Sequence, residues 1–469
     1  MMLCRCGRVA ESWLRSRWAV LSVFGLVLAL GCELPRDAHR AHLSGQITAR
    51  SDVAGSEDNS GFRVLVLDAE GRSLDTLARA RTNRDGRFGT SVPAPERGIY
   101  TLTVWGRRGS EQLGSTEYVV ADGDSATVNL TLPPQRGRLR VRSQENAALS
   151  AYQNTLAQHR TSLVRALRSG GTDAKPTGRR IRRTSSILWR LRDTFPGTYA
   201  SQLAATASLS LLAGRNDSLV VERLQSIEPS NPRYVEAAQI GRRAAARLRG
   251  QEAALNFLDE FETRATTDAQ RAGVQAARVR LFIDSLESKA ALSAAEDLRN
   301  RFPNTRWAEW ADRAAYEVRN LVPGKEAPTF TARTVRGDSL TLRSLRGRPV
   351  VLEYFAPGND LFRRQLGTRK ALYEATRPDS ASFVSVSVQP DTLLNRVLFE
   401  EGAVPGRKII AAEGTEDPIA EAYNVTRVPT RFLIGADGRL VERYEGTAFL
   451  ALQEDLAALV DGTLPKDGI

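Results

Sequence analysis

Asn359, Asp360 and Phe362 stand in a short loop between VVLEYF, which has the pattern of a buried strand, and the helical pattern RRQLGTRKALYEA. Loops at the ends of such strands carry the chemistry of many enzymes. The residue types offer little of it here. An amide has no acid-base range near neutral pH and is a poor nucleophile, and a phenyl ring has no redox chemistry. Asp360 is expected as the N-cap of the following helix. Glu353, inside the strand, is expected either at a sheet edge in contact with solvent or paired with an arginine such as Arg363. The chain has three cysteines, Cys4, Cys6 and Cys32, and three histidines, His39, His42 and His159. Beyond Cys32 no disulfide, thiolate nucleophile or cysteine-held zinc can be built, and the C-terminal half has no histidine for a Ser-His-Asp or metal site. No catalytic residue, metal or cofactor is therefore expected.

The cysteines belong to an N-terminal segment of a different kind. Arg5, Arg8, Arg15 and Arg17 precede the apolar run WAVLSVFGLVLAL, too short to span a bilayer comfortably and suited to a signal-peptide core. Gly31-Cys32 follows at once. A small residue before a cysteine at the end of an apolar core resembles the bacterial lipobox, although Ala29 and Leu30 stand in the reverse of the common order. The resemblance implies a signal peptide over 1–31, cleavage before Cys32 and a lipid on its sulfur; the alternative is an ordinary secretory signal or an N-terminal anchor. Either implies a body that works outside the cytoplasm, in the cell envelope, facing the periplasm or the exterior.

With 469 residues, 42% of them hydrophobic and 26% charged, the chain is globular and long enough for several domains. Residues 32–42 read as a polar tether. Over 43–133, alternating runs such as FRVLVLD and IYTLTVW, punctuated by Asp-Gly and Glu-Gly turns, predict an antiparallel β-sandwich. Asp85-Gly86 reads as a hairpin turn, and Asp122 and Asp124 around Gly123 as turn residues. The segments around 82–88 and 98–104 resemble the prealbumin-like, carboxypeptidase-regulatory-like domains of bacterial surface proteins, which implies a spacer or docking module.

Residues 134–320 are a basic linker followed by helical periodicity. LRDTFPGTYA at 191–200 returns as LRNRFPNTRWA at 298–308, with a looser copy at 227–238 and a weak one near Asp268. A period of about 36 residues resembles tetratricopeptide-type helical hairpins, with Pro196, Pro232 and Pro303 each expected at the first position of a helix. An irregular helical bundle is the alternative. The formal net charge of +12 is concentrated: between Arg136 and Arg190, thirteen Lys and Arg stand against Glu145 and Asp173. Arg136, Arg138, Arg140 and Arg142 alternate at strand spacing, and Arg179, Arg180, Arg182 and Arg183 are expected on a mobile loop. Nucleic acid does not suit an exported protein; anionic lipid headgroups or an acidic envelope polymer do, and a solvated face that aids solubility is the other reading.

From 321 to 469 strands and helices alternate, which predicts a partly parallel sheet closed by a hairpin at Gly435-Ala436-Asp437-Gly438. GKEAPTFTARTVRGDSLTLRSLRGRPVVLEYFA, the ending PTRFLIGADGRLVERYEG and Val428-Pro429-Thr430 together resemble the membrane-tethered TlpA- and ResA-like redoxins. That resemblance implies a thioredoxin fold with Val428-Pro429-Thr430 as its cis-proline loop. It also implies that the two cysteines of the family's WCxxC motif fall on Asn359 and Phe362, and that Glu353 sits at the strand position where many thioredoxins keep a buried carboxylate. What remains by that resemblance is a groove, Val428, Pro429 and Thr430 opposite Asp360, where an extended partner segment would pair with backbone. The reading that follows is an exported lipoprotein with a redox-inactive thioredoxin-like domain, binding envelope proteins or peptides. The alternative is a thiol-disulfide oxidoreductase or redoxin that acts with a partner's cysteine.

Overall fold

A computed structural model describes residues 39–462 apart from 50–57, 69–74, 109–110, 133–138, 169–173, 377–379, 391, 401 and 403. The expected signal peptide, Cys32, most of the tether, Arg136 and Arg138 lie outside the described residues. The chain divides into two compact units, one ending at Ser143 and the other running from Gln144 to Ile469.

Among its described residues the first unit holds eight strands: β1 (His39–Ala49), β2 (Arg63–Asp68), β3 (Asp75–Arg81), β4 (Arg87–Ala94), β5 (Gly98–Trp105), β6 (Gln112–Val120), β7 (Ser125–Leu132) and β8 (Val141–Arg142). They form two four-stranded sheets, ordered β4-β1-β7-β8 and β3-β2-β5-β6. Inward residues of both, among them Leu43, Val64, Leu102 and Val128, share one core. Alternation drives this: in β7 Ala126 and Val128 are buried while their neighbours face solvent. The sheets are not wholly antiparallel, since β1 and β7 run parallel. The Asp85-Gly86 turn is not a hairpin, because β3 and β4 lie in different sheets. Asp122 accepts hydrogen bonds from the His39 ring at 2.7 Å and the Arg40 amide at 2.9 Å. The unit is larger than 43–133: His39 already pairs with Ala94, and Val141 and Arg142 pair back onto β7.

The second unit opens with helices α1 (Gln144–Arg168), α2 (Ala174–Thr194), α3 (Tyr199–Leu212), α4 (Asp217–Leu224), α5 (Tyr234–Arg264), α6 (Asp268–Asp284), α7 (Ser288–Arg301) and α8 (Arg306–Asn320). Gly250, at φ 82°, breaks α5 into two pieces, joined across the break by the Tyr234 hydroxyl donating to the Phe261 carbonyl at 2.7 Å. Helices begin at Tyr199, Tyr234, Asp268 and Arg306, intervals of 35, 34 and 38 residues. The prolines do not open these helices. Pro196, Pro232 and Pro303 sit two or three residues earlier, in the turns, and the starts are held by caps such as Thr198 and the Thr267–Gln270 capping box. KPTGRRIRR is not a loop either: it lies within α2, where Ile181 is buried and Arg179, Arg180, Arg182 and Arg183 are exposed around it. Helical spacing, in place of the expected mobile loop, thus separates these four cations from the core.

The remainder contains β9 (Thr331–Arg333), β10 (Ser339–Thr341), β11 (Val350–Phe355), α9 (Asp360–Arg364), α10 (Leu366–Ala375), β12 (Ser382–Ser387), α11 (Thr392–Glu400), β13 (Arg407–Ile410), α12 (Pro418–Glu421), β14 (Thr430–Ile434), β15 (Leu440–Glu445) and α13 (Phe449–Val460). Five strands make one sheet, β13-β12-β11-β14-β15, with β11, β12 and β13 parallel and β14 antiparallel to β11 on one side and to β15 on the other. Every residue of β11, β12 and β14 is buried, as a sheet covered on both faces requires. Val350, Leu352 and Tyr354 face one core, and Val351 the other. The helical region is not separable at residue 320. Tyr316 on α8 packs on the first of these cores and donates to the Ala422 carbonyl at 2.9 Å, and Glu317 pairs with Arg443 at 3.3 Å.

Candidate functional site

The sheet fixes the site. β11 ends at Phe355 in the middle of the sheet, so the loop 356–359 emerges between β12 and β14. Gly358 donates its amide to the Gln389 side chain at 3.1 Å, tying that loop to the residues after β12. On the other side stands the turn before β14, with a cis Val428–Pro429 peptide bond.

Asn359 joins the two. Its Oδ1 accepts from the Phe362 amide at 3.0 Å, which makes it the N-cap of α9, and its Nδ2 donates to the Val428 carbonyl at 3.1 Å. Asp360 is therefore not the cap: it lies exposed in the first turn, where a carboxylate complements the helix dipole. Of the other expected groove residues, Val428 is half-buried, whereas Pro429 and Thr430 are buried. Thr430 is paired within the sheet to Tyr354 and Glu445. Asp360, in the first turn of α9, and Arg427, next to Val428 in the chain, are both exposed.

Phe362 is fully buried and stacks on Phe355, with ring centroids 4.2 Å apart and planes 7° from parallel. The Arg369 guanidinium covers Phe362, its carbon 4.2 Å from the ring centroid. This position is filled by a packed side chain that solvent does not reach.

Beside it is a buried charge cluster. Glu353 shares the sheet face of Val351 and Phe355 and is 4% exposed. It is neither at a sheet edge nor paired with Arg363, which is exposed. Its partners are Arg369 and Arg431, which are 3% and 1% exposed. Both arginines reach the same carboxylate oxygen, Arg431 through Nε at 2.7 Å and Arg369 through Nη2. Burial draws the Arg431 guanidinium below its ordinary range, against the opposing pull of Glu353. Arg431 also donates to Gln365 at 2.6 Å. Sequence reasoning misses both arginines. For Arg431 a signal exists: the antiparallel register of TRFLI on VVLEYF sets it directly opposite Glu353. For Arg369, in the helix after the one that holds Phe362, the residue type gives no sign that it turns inward.

A sheet of this order, with a helix launched from its central parallel strand beside a cis-proline turn, defines a thioredoxin fold. No protein-family model matches the chain. Over 141 residues it is 22% identical to the thiol-disulfide oxidoreductase ResA of Bacillus subtilis (strain 168), covering 30% of this chain and 77% of that protein. It is also 22% identical over 138 residues to ResA of Halalkalibacterium halodurans, covering 29% and 76%. Among solved structures, the thioredoxin domain of a thiol-disulfide oxidoreductase from Bacteroides vulgatus aligns at 18% identity and TM-score 0.27, covering 31% of this chain and 100% of that one. A thiol-disulfide oxidoreductase from Bacteroides fragilis aligns at 20% identity and TM-score 0.26, covering 28% and 99%. About 30% of the chain is thus homologous to the thioredoxin-like redoxins of the ResA type. Among the described residues, no helix is long and apolar enough to cross a membrane.

Proposed function

We propose that this protein is an exported lipoprotein, anchored through Cys32, whose thioredoxin-fold domain is redox-inactive and serves as a protein- or peptide-binding module of the cell envelope. The observation that carries the reading is the structural commitment of Asn359 and Phe362, which stand where the resemblance puts the two cysteines. Asn359 caps α9 and holds the Val428 carbonyl, and Phe362 is packed out of reach of any substrate. No cysteine follows Cys32 to replace them. The cis-proline turn remains beside them, and with it a place for an extended segment between Asp360 and Arg427. The Asn359 hydrogen bond already engages one acceptor of that turn, the Val428 carbonyl, which a partner would have to share or displace.

Two assays test the proposal. The full chain should reduce insulin disulfides no faster than dithiothreitol alone, and a rate above that blank would replace this reading with the oxidoreductase one. Proteins copurified from detergent-solubilised envelopes should be lost with the double variant Asp360→Arg, Arg427→Glu. An unchanged set would remove the rim as the binding face and leave the helices or the arginine-rich α2. Point variants suit this better than truncation at residue 320, because α8 packs on the thioredoxin-fold core.

A further inference from the structure

Helices α1 and α2 pack as a hairpin. Their ends are close in the chain, and His159, near the end of α1, meets the Thr184 hydroxyl, equally far into α2, at 2.9 Å. α3 closes one side of both helices. The Ser185 hydroxyl of α2 lies 2.9 Å from that of Ser208, and Glu145 of α1 accepts from the Tyr199 amide at 2.8 Å.

These two contacts fix which side of each helix is free. At about 3.6 residues per turn, Arg180, Arg183 and Arg190 stand close to half a turn round α2 from Ser185, and Arg165 close to half a turn round α1 from Glu145. All four are exposed, and they share the face of the hairpin opposite α3. Arg160 is also exposed, but by the same count it stands only about a sixth of a turn from Glu145, on the α3 side. The face carries no carboxylate. Of the two acidic residues in α1 and α2, Glu145 is buried, and Asp193 is less than about a quarter of a turn from Ser185. Like charges gathered on one face without a counter-charge repel one another, and an anionic surface relieves that repulsion.

We propose that this face docks on an anionic phospholipid bilayer. Guanidinium forks match the oxygens of lipid phosphates. Arginines spread over two adjacent helices suit a planar array of headgroups, whereas a single acidic strand would engage only one row of them. The inference rests on the reading of the protein as a lipoprotein, whose anchor keeps the body at a membrane and raises the local concentration of headgroups. The KPTGRRIRR run alone does not make the face, because Arg165 and Arg190 join it only through the hairpin.

The test uses the chain from Glu33 onward, which keeps every described residue and has no cysteine to carry a lipid. Vesicle binding then reports the arginines and not the anchor. The chain should cosediment with phosphatidylglycerol vesicles at about 0.1 M salt, not with phosphatidylcholine vesicles, and should be released at about 1 M salt. Arg165→Gln together with Arg190→Gln should weaken the partition constant more than about tenfold, each charge supplying a factor of about five. Arg160→Gln, the control on the other side, should change it less than about twofold. Equal binding to both lipids, or a loss with Arg160→Gln as large as with the pair, would overturn the face. Displacement by polyglutamate at equal charge concentration would also overturn the bilayer as occupant and assign an acidic polymer. The anchor is tested apart from this, by the mass of a diacylglyceryl group on Cys32 of the full-length product, so either reading can fail alone.

Discussion

Arginine is used in two opposite ways in the second unit. On α2, Arg179, Arg180, Arg182 and Arg183 surround one buried isoleucine and point their charges at solvent. In the thioredoxin-fold region, Arg369 on α10 and Arg431 on β14 are buried and converge on one oxygen of Glu353. The first group has high-dielectric surroundings, so each charge is cheap to keep and contributes little to the fold. The second group has lost its hydration, so its stability depends on the partner that remains. The local density of positive charge, highest in the α2 stretch of the sequence, therefore does not locate the arginines that matter most to the structure.

Removing the shared partner should have the largest effect. Glu353→Gln keeps the shape of the side chain but leaves two buried guanidinium groups without a counter-charge. It should lower the stability of the second unit by about 3 to 5 kcal/mol, read from the urea midpoint of that unit's transition. A change below about 1 kcal/mol would mean that solvent reaches the cluster and that the contrast with α2 is false.

Asn359→Ala tests the neighbouring loop and should have an intermediate effect. It deletes the α9 cap and the tie to Val428, at a cost of about 1 kcal/mol, with faster amide exchange at Phe362 as its local sign. Protection at Phe362 equal to that of the unaltered chain would show that the turn is held by other contacts.

The smallest effect on stability belongs to α2. Replacing Arg179, Arg180, Arg182 and Arg183 together by Glu should shift the unfolding midpoint little, each surface change lying within about 0.5 kcal/mol. The same variant should lose cosedimentation with phosphatidylglycerol vesicles, to which each basic residue near the surface contributes about 1 kcal/mol. Stability lost in step with binding would show that these arginines support the fold as the buried pair does.

Much of the architecture is legible in local sequence patterns. The apolar character of VVLEYF, broken only at Glu353, announces a buried strand, and GADG announces the turn that joins β14 to β15, where Gly438 adopts φ 87°. The recurrence of the TFP- and RFP-type turns sets the interval at which helices begin. The features that local patterns misplace share a cause. Asp360 fits the cap position because an acidic residue suits a helix start, yet the neighbouring Asn359 can both accept from Phe362 and donate to Val428, which lies 69 residues away. KPTGRRIRR resembles a loop because Gly and Pro break helices on average, yet Ile181 and Ser185 bury one side of α2 against the neighbouring helix, where the Ser185 and Ser208 hydroxyls lie 2.9 Å apart. Asp85-Gly86 resembles a hairpin because turn residues look the same whether the next strand pairs with the last one or crosses to another sheet.

By itself, then, the sequence determined the covalent chemistry: beyond Cys32 no sulfur of cysteine exists to exchange disulfides, and no arrangement in space can supply it. It also determined the periodicities that make strands and helices, because these depend on neighbours two to four residues apart. Only the tertiary structure decided that Glu353 is held by Arg369 and Arg431, 16 and 78 residues away. It also decided that Phe362 is sealed under one of them. The physical reason is that burial sets the energy of a charge, and burial is a property of the assembled sheet and helices.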